Sequence, residues 1–319
     1  MVDWNAIQTE FAREFVADGA ELDRWEVIEP YFQKLEERSM EGVQDLSQWI
    51  LDLSELDSCI DQEQTERYVA MTCDTENPGL EKAYLESIEN VTPKCKVWWH
   101  KLRERYVGCE FRAELPSQRY EVLDRSALAQ VEIFREENVP LQTEDQKLRQ
   151  RYQKICGAQT VQFDGREQTL QQMARYLEEQ DRVLRESAWI TSGSRRLEDR
   201  EALDEIFDEM ITIRHRIAMN ADFPNYRDYM FRAMERYDYS PQDCEVFHDA
   251  VERIVVPAKR ELDEKRKREL GLDELRPWDL AVDPKNQPPL RPFENPEQLC
   301  EGCRTIFKKL DRSEEHTSE

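Results

Sequence analysis

The 319-residue chain carries 45 Lys and Arg against 69 Asp and Glu, giving a formal net charge of −24, with 36% charged and 39% hydrophobic residues. That length allows two domains and a sizeable core, while the acidity argues against nucleic acid or an anionic membrane as the main partner. Glycine is scarce, at 9 residues, which disfavours a glycine-rich α/β nucleotide binder.

In chain order, residues 3–38 read as helices, from Phe11, Phe15 and Val16 and then Trp25, Ile28, Phe32 and Leu35. The pattern continues over 43–71 through Leu46, Ile50, Leu53, Leu56 and Ile60. Asn77-Pro78-Gly79 reads as a turn, and a helix follows from Leu80 with Tyr84, Leu85 and Ile88. Thr92-Pro93 starts the next, which holds Trp98, Trp99, Leu102 and Tyr106. Such segments joined by short turns suggest an antiparallel array of helical hairpins. Leu115-Pro116 breaks the chain, and helical segments follow over 120–136 and 144–155. Alternation around Asp164-Gly165 predicts a short β-hairpin over 160–170. Helices are expected over 169–177 and 180–189, then a break at Thr191-Ser192-Gly193-Ser194.

The clearest periodicity follows. Leu203, Ile206, Met210, Ile213 and Ile217 line one face of a long helix that Asn220 and Pro224 end. A second helix starts at Asn225 with Tyr226, Tyr229 and Met230. A third opens on Ser240-Pro241-Gln242-Asp243, where serine caps free amides, proline takes the first helical position and Asp243 favours the positive helix end. Pro257 interrupts that helix or starts the next, which ends on Gly271 with Leu272 behind it. Beyond Leu280 a proline-rich loop leads to a last helix from about Pro296 with Leu299, Ile306, Phe307 and Leu310. No repeat of fixed period is present, which argues against a solenoid.

The runs Arg214-His215-Arg216-Ile217-Ala218, Asn225-Tyr226-Arg227-Asp228-Tyr229, Val255-Val256-Pro257 and Leu275-Arg276-Pro277-Trp278-Asp279-Leu280, in that order, resemble the oligoendopeptidase F family of zinc oligopeptidases, peptidase family M3. The ordered set carries the resemblance, chiefly from Thr160 onward. It implies an all-α fold with the one hairpin near 160–170. It also implies an N-terminal helical domain over 1–170 and the beginning of the peptidase domain over 171–311. The complete enzyme would flank a deep channel that admits only unstructured oligopeptides as substrates. Its zinc would sit on His-Glu-x-x-His and a further glutamate, with the motif glutamate as general base.

The chain's histidines are His100, His215, His248 and His316, no two of them four apart and none followed by glutamate. No catalytic, cofactor-binding or metal residue is therefore assigned within this chain. The motif is expected downstream of Asp311, and the chain alone is expected to be inactive. The tail Arg312-Ser313-Glu314-Glu315-His316-Thr317-Ser318-Glu319 matches the translation of a common sequencing-adapter oligonucleotide, so it is set aside as an artefact. The competing reading is a non-catalytic acidic helical module that binds a protein partner through an aromatic face.

Other candidates have plain structural readings. His215 is expected to be structural, His248 half-buried and hydrogen-bonded, and His100 an edge residue of a packed helix. Cys300-Glu301-Gly302-Cys303 has redox or metal spacing but lacks a second pair. Phe223, Tyr226, Tyr229, Phe231, Tyr237 and Tyr239 form either core or a channel wall. The charge run from Glu261 to Arg268 reads as a solvated helix face. Eight cysteines without a leader peptide, and no stretch able to span a bilayer, point to a reducing cytoplasm. An exposed apolar patch is expected around Ile206, Met210, Ile213 and Phe231 if later helices are needed to cover them.

Overall fold

The structure is a computed structural model that describes residues 13–285, 287–288 and 290–310. Among the described residues the regular structure is helical except for one two-stranded hairpin. The expected start of the first helix at 3–12 and the tail at 312–319 lie outside the described residues. The chain divides into two compact units, one comprising 13–161 and 193–260, the other, as described, 162–192 and 261–310.

In the larger unit, residues 13–24 are not helical as the sequence suggested. The Glu55 carboxylate accepts backbone N–H bonds from Phe15 at 3.0 Å and Val16 at 2.7 Å, so these amides are satisfied without a helix. Helix α1 (Trp25–Glu37) buries Trp25, Ile28, Tyr31, Phe32 and Leu35, the apolar stripe of its sequence. Its last carbonyls have side-chain partners: Leu35 O accepts from Trp49 Nε1 and from Arg105 Nη1, each at 2.8 Å, and Arg38 O accepts from Arg105. Helix α2 (Val43–Cys73) supplies Leu46, Trp49, Leu56 and Ile60 to the same core.

Asn77-Pro78-Gly79 starts a helix rather than forming a separate turn. Asn77 caps α3 (Pro78–Glu86) by accepting the Gly79 N–H, with Pro78 at the first position. A π-turn, Ser87–Val91, then leads into α4 (Thr92–Val107). Pro93 lacks an N–H and would collide with the carbonyl four residues back, Glu89, which lies in that π-turn. The same device recurs at Pro257. Helix α11 (Pro241–Ala250) passes through a π-turn, Val251–Val255, into α12 (Val256–Glu269), so Pro257 does not end the helix.

Helices α5 (Ser117–Ile133) and α6 (Asn138–Gly157) follow, and α6 packs on α9 (Arg200–Asn220). Ile206 and Met210 are buried against Leu148 of α6, while Ile217 and Ala218 pack with Ile133 and with Tyr229 of α10 (Tyr226–Ala233). This overturns the expected patch at Ile206 and Met210. The exposed apolar face of α9 is instead Phe207, Ile211 and Met219. Phe207 and Ile211 lie one turn apart beside the buried stripe of Ile206, Met210 and Ile217.

Strands β1 (Thr160–Phe163) and β2 (Arg166–Thr169) form the expected hairpin. Its two turn residues, Asp164 at φ 53° and Gly165 at φ 73°, both occupy the left-handed region that a two-residue turn needs. The short helix α7 (Leu170–Met173) starts on a Thr169–Gln172 capping box.

Helix α8 (Arg182–Glu198) runs straight through Thr191-Ser192-Gly193-Ser194, against the expected break. Ser192 Oγ donates to Ala188 O at 2.8 Å within the helix, so the hydroxyl does not compete for an alternative turn. The break falls at Asp199, whose carboxylate accepts from Arg195 and Gln159. The last helix is α13 (Pro296–Leu310).

Candidate functional site

The block of sequence around α9 and α10 is held by a polar cluster in the larger unit. Asp145 on α6 is 5% exposed and accepts from Arg149 and from Arg214 of α9, each at 2.7 Å. The Arg214 guanidinium also lies 5.7 Å from the Tyr226 ring centroid. Lys96 on α4 donates to Gln142 Oε1 at 2.8 Å, and the Gln142 amide reaches the Tyr229 hydroxyl at 3.5 Å. Burial lowers the Lys96 pKa to about 8, against the opposing pull of Asp145. Burial likewise raises Tyr226 and Tyr229 above the ordinary phenol value. Beside the cluster, Asn138 donates to Ile217 O at 2.9 Å and accepts from Asn220 at 2.8 Å, which secures the end of α9.

In the smaller unit the Leu275–Leu280 run has a comparable anchor. Asp279, fully buried, accepts from Arg185 Nη2 at 2.9 Å and from Arg182 at 2.9 and 3.0 Å, and its Oδ2 takes the Arg276 N–H at 2.9 Å. Burial would raise this carboxyl, but the bonds from Arg182, Arg185 and the Arg276 amide outweigh it and hold the pKa below the usual carboxylate range. Arg185, 3% exposed, gives three further N–H groups to Trp278 O, Glu179 O and Gln180 O.

These clusters hold helices in place. They pair no nucleophile with a base, and Asp145 and Asp279 are both committed to arginines. Sequence pattern alone assigns no buried role to either. A readable signal existed: Asp145 falls on the stripe of Leu141 and Leu148, and Arg185 one turn before Ala188, and a charge on an apolar stripe needs a buried partner.

The structure places the candidates as follows. His100 stacks on Phe134, with ring centroids 3.9 Å apart, and meets Glu104 at 3.4 Å. Burial lowers its pKa, so it is a packed edge residue as expected. His215 is exposed on α9. His248 is exposed too, not half-buried as expected, because α11 buries none of its residues. Cys300 is half-buried, Cys303 is exposed, and both are free thiols. Phe223, Tyr226 and Tyr229 pack into the α9–α10 core, Phe231 meets Tyr239 edge-on at 5.7 Å, and Tyr237 lies under the Arg125 guanidinium at 4.3 Å. That set therefore divides into core and surface. The 261–268 run is largely exposed on α12, with pairs such as Lys265–Glu269.

Among the described residues no group of three or more His, Cys, Asp and Glu side chains is placed to hold a metal ion. Among the described residues, no helix is long and apolar enough to cross a membrane.

Comparison with known proteins places these elements. Residues 20–134 match the Peptidase M3 N-terminal domain, and residues 175–311 match Peptidase family M3. The fold is similar to that of a protein described as an oligoendopeptidase F from Bacillus anthracis str. Ames, with TM-score 0.84 and 21% identity, over 94% of this chain and 56% of that one. PZ peptidase A, solved with an inhibitor, gives TM-score 0.84 at 22% identity over 95% of this chain and 53% of that one. An oligoendopeptidase F from Enterococcus faecium gives TM-score 0.66 at 14% identity, over 88% and 57%. The chain thus spans little more than half the length of the solved structures it matches. A search of the curated proteins gives no significant match.

Proposed function

Because the chain belongs to peptidase family M3, we propose that it is the front part of a zinc-dependent oligoendopeptidase that hydrolyses short, unstructured peptides. The observation that carries this reading is the order of the two family matches along one chain, with the helical fold that accompanies them. On this reading the N-terminal helical domain occupies 1–170 and the peptidase domain begins over 171–311. Zinc, its ligands and the general base belong to sequence beyond the matched region, and the 319-residue chain by itself is inactive. The free thiols support a reducing, cytoplasmic setting.

The test is to read the source locus across codon 311, express both this chain and the product of the continued frame, and assay each on a quenched fluorescent peptide. Zinc content is measured alongside. We expect a continued frame encoding His-Glu-x-x-His, chelator-sensitive cleavage by the longer product, and neither zinc nor cleavage in this chain. Chelator-sensitive cleavage by the chain alone would overturn its assigned inactivity. A frame with no such motif would favour an acidic interaction module, which the exposed Phe207, Ile211, Val246 and Phe247 would serve.

A further inference from the structure

A cavity of about 390 Å³ opens among α2, α4 and α5 in the larger unit, well away in sequence from the polar cluster on α9. Its size falls within the range of small-molecule sites. Helical spacing builds it: Trp49, Leu53 and Asp57 recur every fourth residue on α2, Trp99 and Arg103 do so on α4, and Tyr120 and Leu123 lie three apart on α5. The walls are thus aromatic and aliphatic, with the exposed Arg119 and two further charges, Arg103 and Asp57, among them.

Arg103 and Asp57 are not spent on each other. Arg103 is half-buried, and its guanidinium makes no hydrogen bond or ion pair with any acceptor among the described residues. Burial lowers its pKa, and Asp57 and Glu235 act on it only at longer range. Glu235 is already engaged by Ser126 at 2.5 Å and Gln130 at 3.3 Å. Asp57 is raised above the ordinary carboxyl value by partial burial, with Arg103 opposing that shift. A guanidinium stripped of part of its hydration, with no protein acceptor among the described residues, is a ready partner for a bound carboxylate. An arginine kept for structure spends its donors, as Arg185 and Arg105 do here.

We propose that this cavity binds a free α-amino acid with an aromatic or branched apolar side chain. Arg103 takes the carboxylate, Asp57 takes the ammonium, and the side chain lies among Trp99, Tyr120 and Leu123. The charge pattern selects this class. The half-buried Arg103 calls for a carboxylate, Asp57, itself exposed, offers a partner for the ammonium, and a polar side chain gains nothing from the walls. The inference does not depend on the peptidase reading.

The experiment is a titration of the purified 319-residue chain, followed by tryptophan fluorescence and calorimetry. The probes are L-phenylalanine, 3-phenylpropionate, which lacks the ammonium, and phenethylamine, which lacks the carboxylate. Phenylalanine is expected to saturate and quench fluorescence, phenylpropionate to bind more weakly, and phenethylamine not to bind. Arg103→Gln is expected to weaken phenylalanine about 10- to 100-fold, the scale of a lost charge-assisted bidentate contact. Arg103→Lys is expected to fall between wild type and Arg103→Gln. Asp57→Asn is expected to bring phenylalanine down to the phenylpropionate level and leave phenylpropionate unchanged. If circular dichroism shows that Arg103→Gln does not fold, Arg103→Lys and the ligand series decide. No saturable phenylalanine binding up to about 10 mM, equal binding of phenylalanine and phenethylamine, or unchanged affinity in both Arg103 variants overturns the proposal.

Discussion

Helices α1 and α13 are both strongly amphipathic in sequence, yet α1 buries five residues and α13 none. Around α1, Phe32 is fully buried, stacks against Trp25 and Trp98 at 5.9 and 5.7 Å, and meets Trp99 edge-on at 4.7 Å. On α13, Phe307 is 60% exposed, and α11 and α12 likewise bury nothing. An apolar stripe therefore states that a helix has a face to cover, and partners elsewhere in the chain decide whether it is covered.

The sharpest test of this contrast pairs a substitution in each region. Phe32→Ala removes a ring from the centre of the aromatic core and is expected to cost about 3–5 kcal/mol. Phe307→Ala is expected to stay within about 0.5 kcal/mol of wild type. Urea unfolding read by tryptophan fluorescence measures both, and a comparable loss for the two would mean that α13 is packed after all.

A second test asks whether the smaller unit has a polar anchor in place of an aromatic one. Asp279→Ala would leave Arg185 buried without its carboxylate, at a cost of about 3 kcal/mol. Asp279 also makes stability depend on pH. Its folded pKa is depressed below the ordinary value of about 3.9, so its contribution is complete above that pH and is lost as pH falls through the lower folded value. The difference between wild type and Asp279→Asn is expected to shrink on acidification through that window. A difference that stays flat or grows would show that the arginine bonds do not set the titration.

Much of this architecture is legible in the residues because the signals are local. Asp164-Gly165 requires a two-residue turn, Ser240-Pro241 with Asp243 requires a helix start, and Gly271 at φ 65° closes α12 with Leu272 N–H bonded to Lys267 O at 3.1 Å. The failures have non-local causes. At the start of 13–24 the helix is replaced by a contact with Glu55, some forty positions away, which takes the amides of Glu14, Phe15 and Val16. Which stripe of α9 is covered depended on α6, since Phe207 and Ile211 are as apolar as Ile206 and Met210. The buried charges escaped notice because each is explained only by its partner: Asp145 by Arg214 and Asp279 by Arg185. The family order is readable without their contacts, because it rests on the order of motifs, Asp279 and Arg214 included, and not on what those residues touch.

A smaller effect is expected at the start of α11, where Ser240 accepts the Asp243 N–H at 3.2 Å in a capping box. Ser240→Ala should cost about 1 kcal/mol locally. Because α11 buries nothing, the loss should appear as faster amide exchange over α11 with little change in the unfolding midpoint of the larger core. A midpoint shift as large as that of Phe32→Ala would show that α11 is coupled to that core.

The smallest effect on stability is expected on the open face of α9. Phe207 and Ile211 are 58% and 50% exposed, so Phe207→Ser with Ile211→Ser should leave the urea midpoint nearly unchanged. The same double substitution should reduce binding of an apolar dye and self-association at high concentration, because it removes adjoining apolar surface from one helix face. Substitution of the buried neighbours Ile206 and Met210 by alanine should do the reverse, lowering stability by about 2–5 kcal/mol each. If the serine pair instead destabilised the fold by that amount, the covered and open stripes of α9 would have been assigned the wrong way round, and the packing of α6 on Ile206 and Met210 would fall with them.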